Sequence, residues 1–259
     1  VGLAALAVAA VIATSPVAFV QSHASNGAYS EPAGTADALL TSWAVLGLRA
    51  AGAAAPGSLD YLRSQEGNLS SSTDVALVTL AEESLGYRND GLLARLTVRP
   101  SGQIGQTLNA TYWAVLALGR SPAATTRFIL AHQAKAGGFA WASGGQPDSN
   151  DTAAALEALR VARVHGTPVT RAVRFLRTLQ NADGGFELSN GRGSDAQSTA
   201  WAIQGLVAAG IAPPRGAFAY LARLKRSDGS YRYSVRYVTT PVWVTSQVLA
   251  ALAKKPFPL

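Results

Sequence analysis

The hydrophobic pattern of this chain has a helical period that restarts six times. Each restart begins on a Thr, at Thr41, Thr73, Thr111, Thr152, Thr199 and Thr245, and reaches a Leu seven residues later, at Leu48, Leu80, Leu118, Leu159, Leu206 and Leu252. Three residues after the Thr stands a compact residue (Ala44, Ala76, Ala114, Ala155, Ala202, Val248), and the next is aliphatic (Val45, Leu77, Val115, Leu156, Ile203, Leu249). The sixth is small again (Gly47, Thr79, Ala117, Ala158, Gly205, Ala251). Positions 0, 3, 4 and 7 share one face of an α-helix. One apolar helix face is therefore repeated, flanked by small side chains that let neighbouring helices approach closely.

A second phrase precedes each of these: Gly, one residue, then an aromatic or aliphatic residue. It reads Gly27 to Tyr29, Gly67 to Leu69, Gly102 to Ile104, Gly137 to Phe139, Gly184 to Phe186 and Gly229 to Tyr231. Glycine admits the positive φ that a helix exit or tight turn demands, and the apolar residue after it can pin the loop to a core. Between the phrases, Leu59 to Gln65, Arg127 to Gln133, Ala172 to Gln180 and Ala217 to Lys225 mix Arg and Lys with apolar residues, as outer helices with one wet face do. The predicted unit is a helical hairpin: outer helix, Gly-aromatic loop, Ala-rich inner helix. The spacings of 32, 38, 41, 47 and 46 residues place the extra length in the loops from 140 to 151 and 187 to 197. Insertions in repeat proteins usually gather on one face, often the binding face. Strand signal is weak; only Ser230 to Val238 alternates enough to suggest a local hairpin.

Length and composition narrow the classes. A chain of 259 residues can make one large domain or two small ones, and the uninterrupted repeat favours one, expected over 16–259. Charged residues are only 14% and Cys is absent, which removes disulfides, thiolate metal sites and a Cys nucleophile. The net charge of +7 is spread over the outer helices, as at Arg171, Arg174 and Arg177, without a basic block or a nucleic-acid motif. Val1 to Ala13 is almost wholly apolar. It is too short to span a bilayer, which needs about 20 residues. With small residues following, 1–15 reads as a signal or membrane-anchor segment, or as the start of the first outer helix. Val17 to Ser22 is an alternative for that helix. The signal reading predicts an exported protein, extracellular or at the cell surface.

The segment Gln180-Asn181-Ala182-Asp183-Gly184-Gly185-Phe186, followed by Thr199-Ala200-Trp201-Ala202, resembles the repeat of the terpenoid cyclase and protein prenyltransferase superfamily. The resemblance recurs at Gln133 to Phe139 and at Asp228 to Tyr231 and covers nearly the whole chain. It implies an all-α (α/α)6 toroid, a barrel of six inner helices surrounded by six outer ones. The periodicity alone also permits an open solenoid, although six repeats without a polar capping repeat favour closure. Asp148-Ser149-Asn150-Asp151-Thr152-Ala153 stands where the superfamily's class II cyclases carry Asp-x-Asp-Asp-Thr-Ala, but the acid position is Asn150. An amide cannot donate a strongly acidic proton. The prenyltransferases' zinc set needs a Cys, and His23, His132 and His165 lie outside the inner-helix phrases, so neither metal nor cofactor is expected.

The resemblance also extends to exported bacterial repeat proteins and to cobalamin-carrier toroids. Three readings follow. The first is an exported, non-catalytic toroid that binds a small molecule, cobalamin-like or isoprenoid, or a protein partner at the inner-helix N-terminal rim. The second is a terpene cyclase-like enzyme with a degenerate acid motif, which requires a deep apolar cavity with Asp148 or Asp151 directed into it. The third is a structural cell-surface module.

The candidate rim comprises Asp148, Asn150, Asp151, Asp195, Gln197, Trp113 and Trp201, with Tyr112 and Asn109 at the same end. Helix N-termini offer free N–H groups there. The competing readings are ordinary. Asp and Asn ahead of a helix are common N-caps, and Trp43, Trp113 and Trp201, each two residues after a Thr, could be core packing between inner helices.

Overall fold

The computed structural model describes residues 14–259; the apolar run Val1 to Ala13 lies outside the described residues. In chain order the helices are α1 (Pro16–Gln21), α2 (Ala38–Ala50), α3 (Ser58–Gln65), α4 (Ser72–Ser84), α5 (Asp90–Arg95) and α6 (Leu108–Leu118). There follow α7 (Ala123–Ala131), α8 (Ser149–Val161), α9 (Thr167–Thr178), α10 (Ala196–Ala208), α11 (Arg215–Leu224) and α12 (Pro241–Ala253). The even-numbered helices carry the six Thr phrases. Each packs on its even-numbered neighbours, and α12 packs on α2, so the ring closes. The odd-numbered helices lie outside, one over each inner helix. The fold is thus an (α/α)6 toroid. The inner helices are apolar almost all round because they face two neighbours, an outer helix and the lumen.

The hairpin geometry rests on a contact that recurs in five repeats. The hydroxyl oxygen of the Thr accepts the backbone N–H of the loop's apolar residue. It does so from Tyr29 to Thr41 (3.0 Å), Ile104 to Thr111 (3.2 Å), Phe139 to Thr152, Phe186 to Thr199 and Tyr231 to Thr245 (each 2.9 Å). Those five loop residues are buried. The glycine two residues earlier lets the loop rest on the next outer helix. A Cβ on Gly184, at φ +87°, would lie 2.5 Å from the carbonyl oxygen of Gly216 in α11; on Gly229, at φ +90°, it would lie 2.6 Å from that of Ser15, beside α1. The second of these docks the last loop onto the first outer helix. Pro16 starts α1 at a position where its missing N–H costs nothing.

The second repeat departs from the rule. Gly67 lies in a 3-10 turn, Glu66–Asn68, with open space around it, and the Leu69 N–H bonds to the Glu66 carbonyl rather than to Thr73. The outer helix of the next repeat, α5, six residues long, is too short to show a period and is not legible from the pattern. The hairpin suggested for Ser230 to Val238 does not form. That segment is a loop with a single bridge from Tyr231 to Lys225 and a turn in which Ser234 N–H bonds the Tyr237 carbonyl. Its exposed face offers no partner strand. Two short antiparallel pairs do occur, β1 (Ala24–Ser25) with β2 (Ala28–Tyr29) and β3 (Phe139–Ala140) with β4 (Pro147–Asp148). No helix among the described residues is long and apolar enough to cross a membrane.

The inner helices are capped at their N-termini by side chains. Asp37, Ser71, Thr107, Asp148 and Asp195 cap α2, α4, α6, α8 and α10 in sequence order. Helix α12 has no such cap of its own; the Glu31 carboxylate, from the loop before α2, accepts the N–H groups of Val242 (3.0 Å) and Trp243 (2.9 Å). Gly47 lets α2 meet α12, since a Cβ there would lie 2.3 Å from the Ser246 carbonyl oxygen.

Two tests follow. Thr199→Val keeps the shape but leaves the buried Phe186 N–H unpaired, and should lower stability by about 1–3 kcal/mol. Thr73→Val should cost much less; chemical denaturation of the two variants measures both. In the same assay Gly184→Ala should destabilise by about 1–3 kcal/mol through overpacking with added backbone strain, whereas Gly67→Ala should be nearly neutral.

Candidate functional site

The lumen is built in layers set by the Thr phase. Two residues after each Thr the side chain points inward, and the six helices supply Trp43, Val75, Trp113, Ala154, Trp201 and Gln247 in turn. Large residues alternate with smaller ones, and the three indoles from α2, α6 and α10 meet at the centre. Trp43 lies 5.4 Å from Trp113 and 5.6 Å from Trp201, and Trp113 lies 5.6 Å from Trp201, with interplanar angles of 88°, 88° and 89°. Such edge-to-face pairs contribute about 0.5–1.5 kcal/mol each beyond their burial. Trp243 joins from above at 6.0 Å from Trp43, and Phe257 lies against all three from the other side. The barrel is filled.

What stays open is a mouth of about 360 Å³ at the N-terminal ends of the inner helices. Its upper ring comes from the position two residues before each Thr: Asn109, Asn150, Gln197 and Trp243. Asp148 and Asp151 stand on one side, and Trp141, 59% exposed, overhangs the opening. Gln247 lines the mouth, and its Oε1 is buried without a hydrogen-bond partner. No Lys or Arg lines this mouth, although the chain as a whole carries a net charge of +7.

The carboxyl pair is the reactive feature. Asp148 caps α8, accepting the Asp151 N–H at 2.8 Å, and Asp151 sits one turn into the helix, where its Oδ1 accepts from the Asn109 amide at 2.8 Å. Burial raises both carboxyls, and the neighbouring Asp148 charge lifts Asp151 further, to about 8. Asp148 is favoured as the charged partner because backbone N–H groups bond it. Burial and the repulsion between the two carboxyls thus favour the protonated form of Asp151 over its charged form. Asn150, at the acid position of the resembling motif, accepts from the Ser149 hydroxyl at 3.1 Å. Among the described residues no group of three or more His, Asp or Glu could hold a metal ion.

Of the residues expected at the rim, Asp148, Asn150, Asp151, Gln197, Trp113, Trp201 and Asn109 are brought together around the mouth. Tyr112 and Asp195 are not. Tyr112 is one residue out of phase with the lumen, about 100° round the helix. It is buried edge-on to Phe139, with its hydroxyl toward the Ala140 carbonyl. Asp195 holds on α10 the place of Asp148 on α8, but both its oxygens are taken by Ser198, from the backbone N–H (2.7 Å) and the hydroxyl (2.8 Å). Its cap role is the ordinary one. The tryptophan trio packs the lumen, as the packing reading expects, and forms the floor of the mouth. Sequence reasoning missed Trp141, Gln247 and Leu188. Trp141 could have been found, because it is the one Trp more than two residues from a repeat Thr and lies in an extended loop.

No family model and no curated protein sequence matches the chain. Solved structures do match. A protein from Actinoplanes superposes with a TM-score of 0.69 at 19% identity, over 92% of this chain and 97% of that one. The type II terpene cyclase MstE from Scytonema, in its apo form, gives 0.70 at 14% identity over 92% and 95%. The Candida albicans protein geranylgeranyltransferase-I complexed with GGPP gives 0.59 at 15% over 83% and 83%. The chain thus has the fold of the terpenoid cyclase and protein prenyltransferase superfamily, as its repeat resemblance implies.

The pH dependence of folding has a definite sign. Asp151 and Glu157 are raised to about 8 and Glu82 to about 7, chiefly by burial. A carboxyl raised on folding gives its full stabilisation below the unfolded value, about 4, and loses it as pH rises through the folded value. Stability should therefore fall between pH 4 and pH 8, and Asp151→Asn should make that fall shallower; urea midpoints across this range measure it.

Proposed function

We propose that this toroid binds a small, uncharged, largely apolar ligand at its inner-helix N-terminal mouth and does not transform it. The observation that carries the reading is the filled lumen: Trp43, Trp113, Trp201 and Phe257 occupy the space in which an extended substrate would have to fold. A mouth of about 360 Å³ suits a modest ligand or one end of a longer one. Indole faces favour a flat or unsaturated group, and the unpaired Gln247 oxygen favours a hydrogen-bond donor on it. The absence of cationic side chains around the mouth disfavours a diphosphate. MstE is described in complex with geranylgeranyl dihydroxybenzoate as its substrate, which supports an isoprenoid among the candidate ligands. Export, on the strength of Val1 to Ala13, belongs to the same proposal.

A second reading has its own observation. The Asp148 and Asp151 carboxyls stand at a mouth lined by indoles, whose faces could shelter a carbocation, although burial raises the Asp151 carboxyl and so makes it a weak acid for protonating an alkene. One experiment separates the two. Geranylgeraniol is titrated against the protein by tryptophan fluorescence, and the same mixtures are analysed for cyclised products by gas chromatography and mass spectrometry. Saturable quenching without product is expected, with Trp141→Ala weakening affinity about tenfold, a loss of about 1.4 kcal/mol, at unchanged stability. Product formation that Asp151→Asn abolishes would overturn the binding reading in favour of catalysis.

A further inference from the structure

The second repeat, which lacks the bond from loop to Thr, has an opening beside the mouth. Its Leu69 N–H bonds the Glu66 carbonyl, so the Thr73 hydroxyl is released from the role its five counterparts fill. Thr73 is half-buried and lines a pocket of about 480 Å³ between the starts of α4 and α6. Close packing fixes the shape of this pocket. A Cβ on Gly105, at φ +71°, would lie 2.8 Å from the Cβ atoms of both Ser72 and Ala110, so the loop before α6 rests directly against the start of α4. The far wall is the exposed Trp141, whose backbone is held by the Asn109 N–H on its carbonyl at 3.1 Å. Asn109 and Trp141 line the mouth as well, and the two openings adjoin at these residues.

The chemistry of the two openings differs. The mouth is floored by indoles. The pocket is lined by hydroxyls and an amide, from Ser70, Ser72, Thr73, Gln106 and Thr107, with no charged side chain among the described residues. The Thr107 oxygen accepts the Ala110 N–H at 3.0 Å, which leaves its O–H to donate. The Thr73 hydroxyl and the Gln106 amide can each donate and accept. Neutral groups of this kind beside one exposed aromatic face match a sugar ring. Such a ring carries hydroxyls round its edge and C–H groups on its faces. The weakly positive C–H groups settle on the electron-rich face of an indole, and the edge hydroxyls pair with neutral donors and acceptors. An anionic head would find no cationic side chain here, and a purely apolar head would strip these hydroxyls of water without pairing them.

Resting on the reading of the mouth as a site for an apolar ligand, we propose that this ligand is an amphiphile with an uncharged sugar head, its chain over the indole floor and its head in the pocket against Trp141. The departure of the second repeat is then a specificity device. The hydroxyl that elsewhere fastens a loop here recognises the ligand.

Geraniol, geranyl β-D-glucoside and geranyl phosphate share one chain and differ only in the head, and each is titrated against the protein by isothermal titration calorimetry. The glucoside is expected to bind at least tenfold tighter than geraniol. Thr73→Val combined with Gln106→Ala should cut that advantage at least fivefold and leave geraniol affinity within twofold, with a cooperative melt to verify folding. Should the pair not fold, Gln106→Ala alone, at an exposed position, should cut it at least threefold. Geraniol binding that the glucoside does not exceed, or an advantage that the folded variants retain in full, overturns the sugar head and leaves the reading of the mouth standing. Phosphate binding tighter than glucoside binding also overturns it, because anion capture at the N-termini of α4 and α6 would then account for the pocket. Glucoside binding without geraniol binding sinks the reading of the mouth and keeps the sugar pocket; no binding by any of the three sinks both.

Discussion

The ring is held together by a contact between a side-chain hydroxyl and a loop amide. In five repeats the Thr near the start of the inner helix accepts the N–H of a buried apolar residue that ends the preceding Gly-containing loop. This one bond satisfies a backbone donor that would otherwise be buried unpaired, fixes the entry angle of the inner helix, and draws the loop down so that its glycine meets the next outer helix. Closure then follows from repetition. The last loop, at Gly229, rests on the backbone beside α1, and Glu31 caps α12 from the opposite end of the chain. The repeat that lacks the bond also lacks the glycine contact and carries the shortest spacing, so the two features are lost together.

A barrel of six closely packed helices leaves a narrow lumen, and the chain fills it by alternation. Trp on three helices faces Val, Ala or Gln on the other three at the same level. Six indoles would not fit, and six small residues would leave a void. The alternation gives a floor rigid enough to define a mouth, and the same indoles accept Phe257 from the other side. The indole layer thus separates the mouth from the end of the lumen that Phe257 fills.

The chemistry at the mouth comes from crowding two carboxyls on one helix start. Asp148 caps α8, where backbone donors favour its charged form, and Asp151, one turn on, is raised by burial and by the Asp148 charge. The amide at Asn150 separates this pair from the resembling cyclase motif. The side chains lining the mouth are neutral or acidic, so it presents no cationic group although the whole protein is cationic.

The six-fold repeat was legible in the sequence because helical periodicity and Gly-aromatic loops are local features, each set within a few residues. So were the caps at Asp148 and Asp195 and the lumen phase of Trp113 and Trp201. Helix α5 was not legible, since six residues hold less than two turns and show no period. Nor was the exclusion of Tyr112 and Asp195 from the mouth, which depends on rotation about the helix and on which partner claims a carboxylate. Trp141, Gln247 and Phe257 took their places at the mouth and in the lumen only in three dimensions. Their neighbours lie on other helices, Phe257 meeting Glu157 across 100 residues of chain. Sequence thus determined the unit and its number, because those rest on short-range pattern. Tertiary structure decided what fills the lumen and what stays open, because that is a matter of volume shared by all six repeats at once.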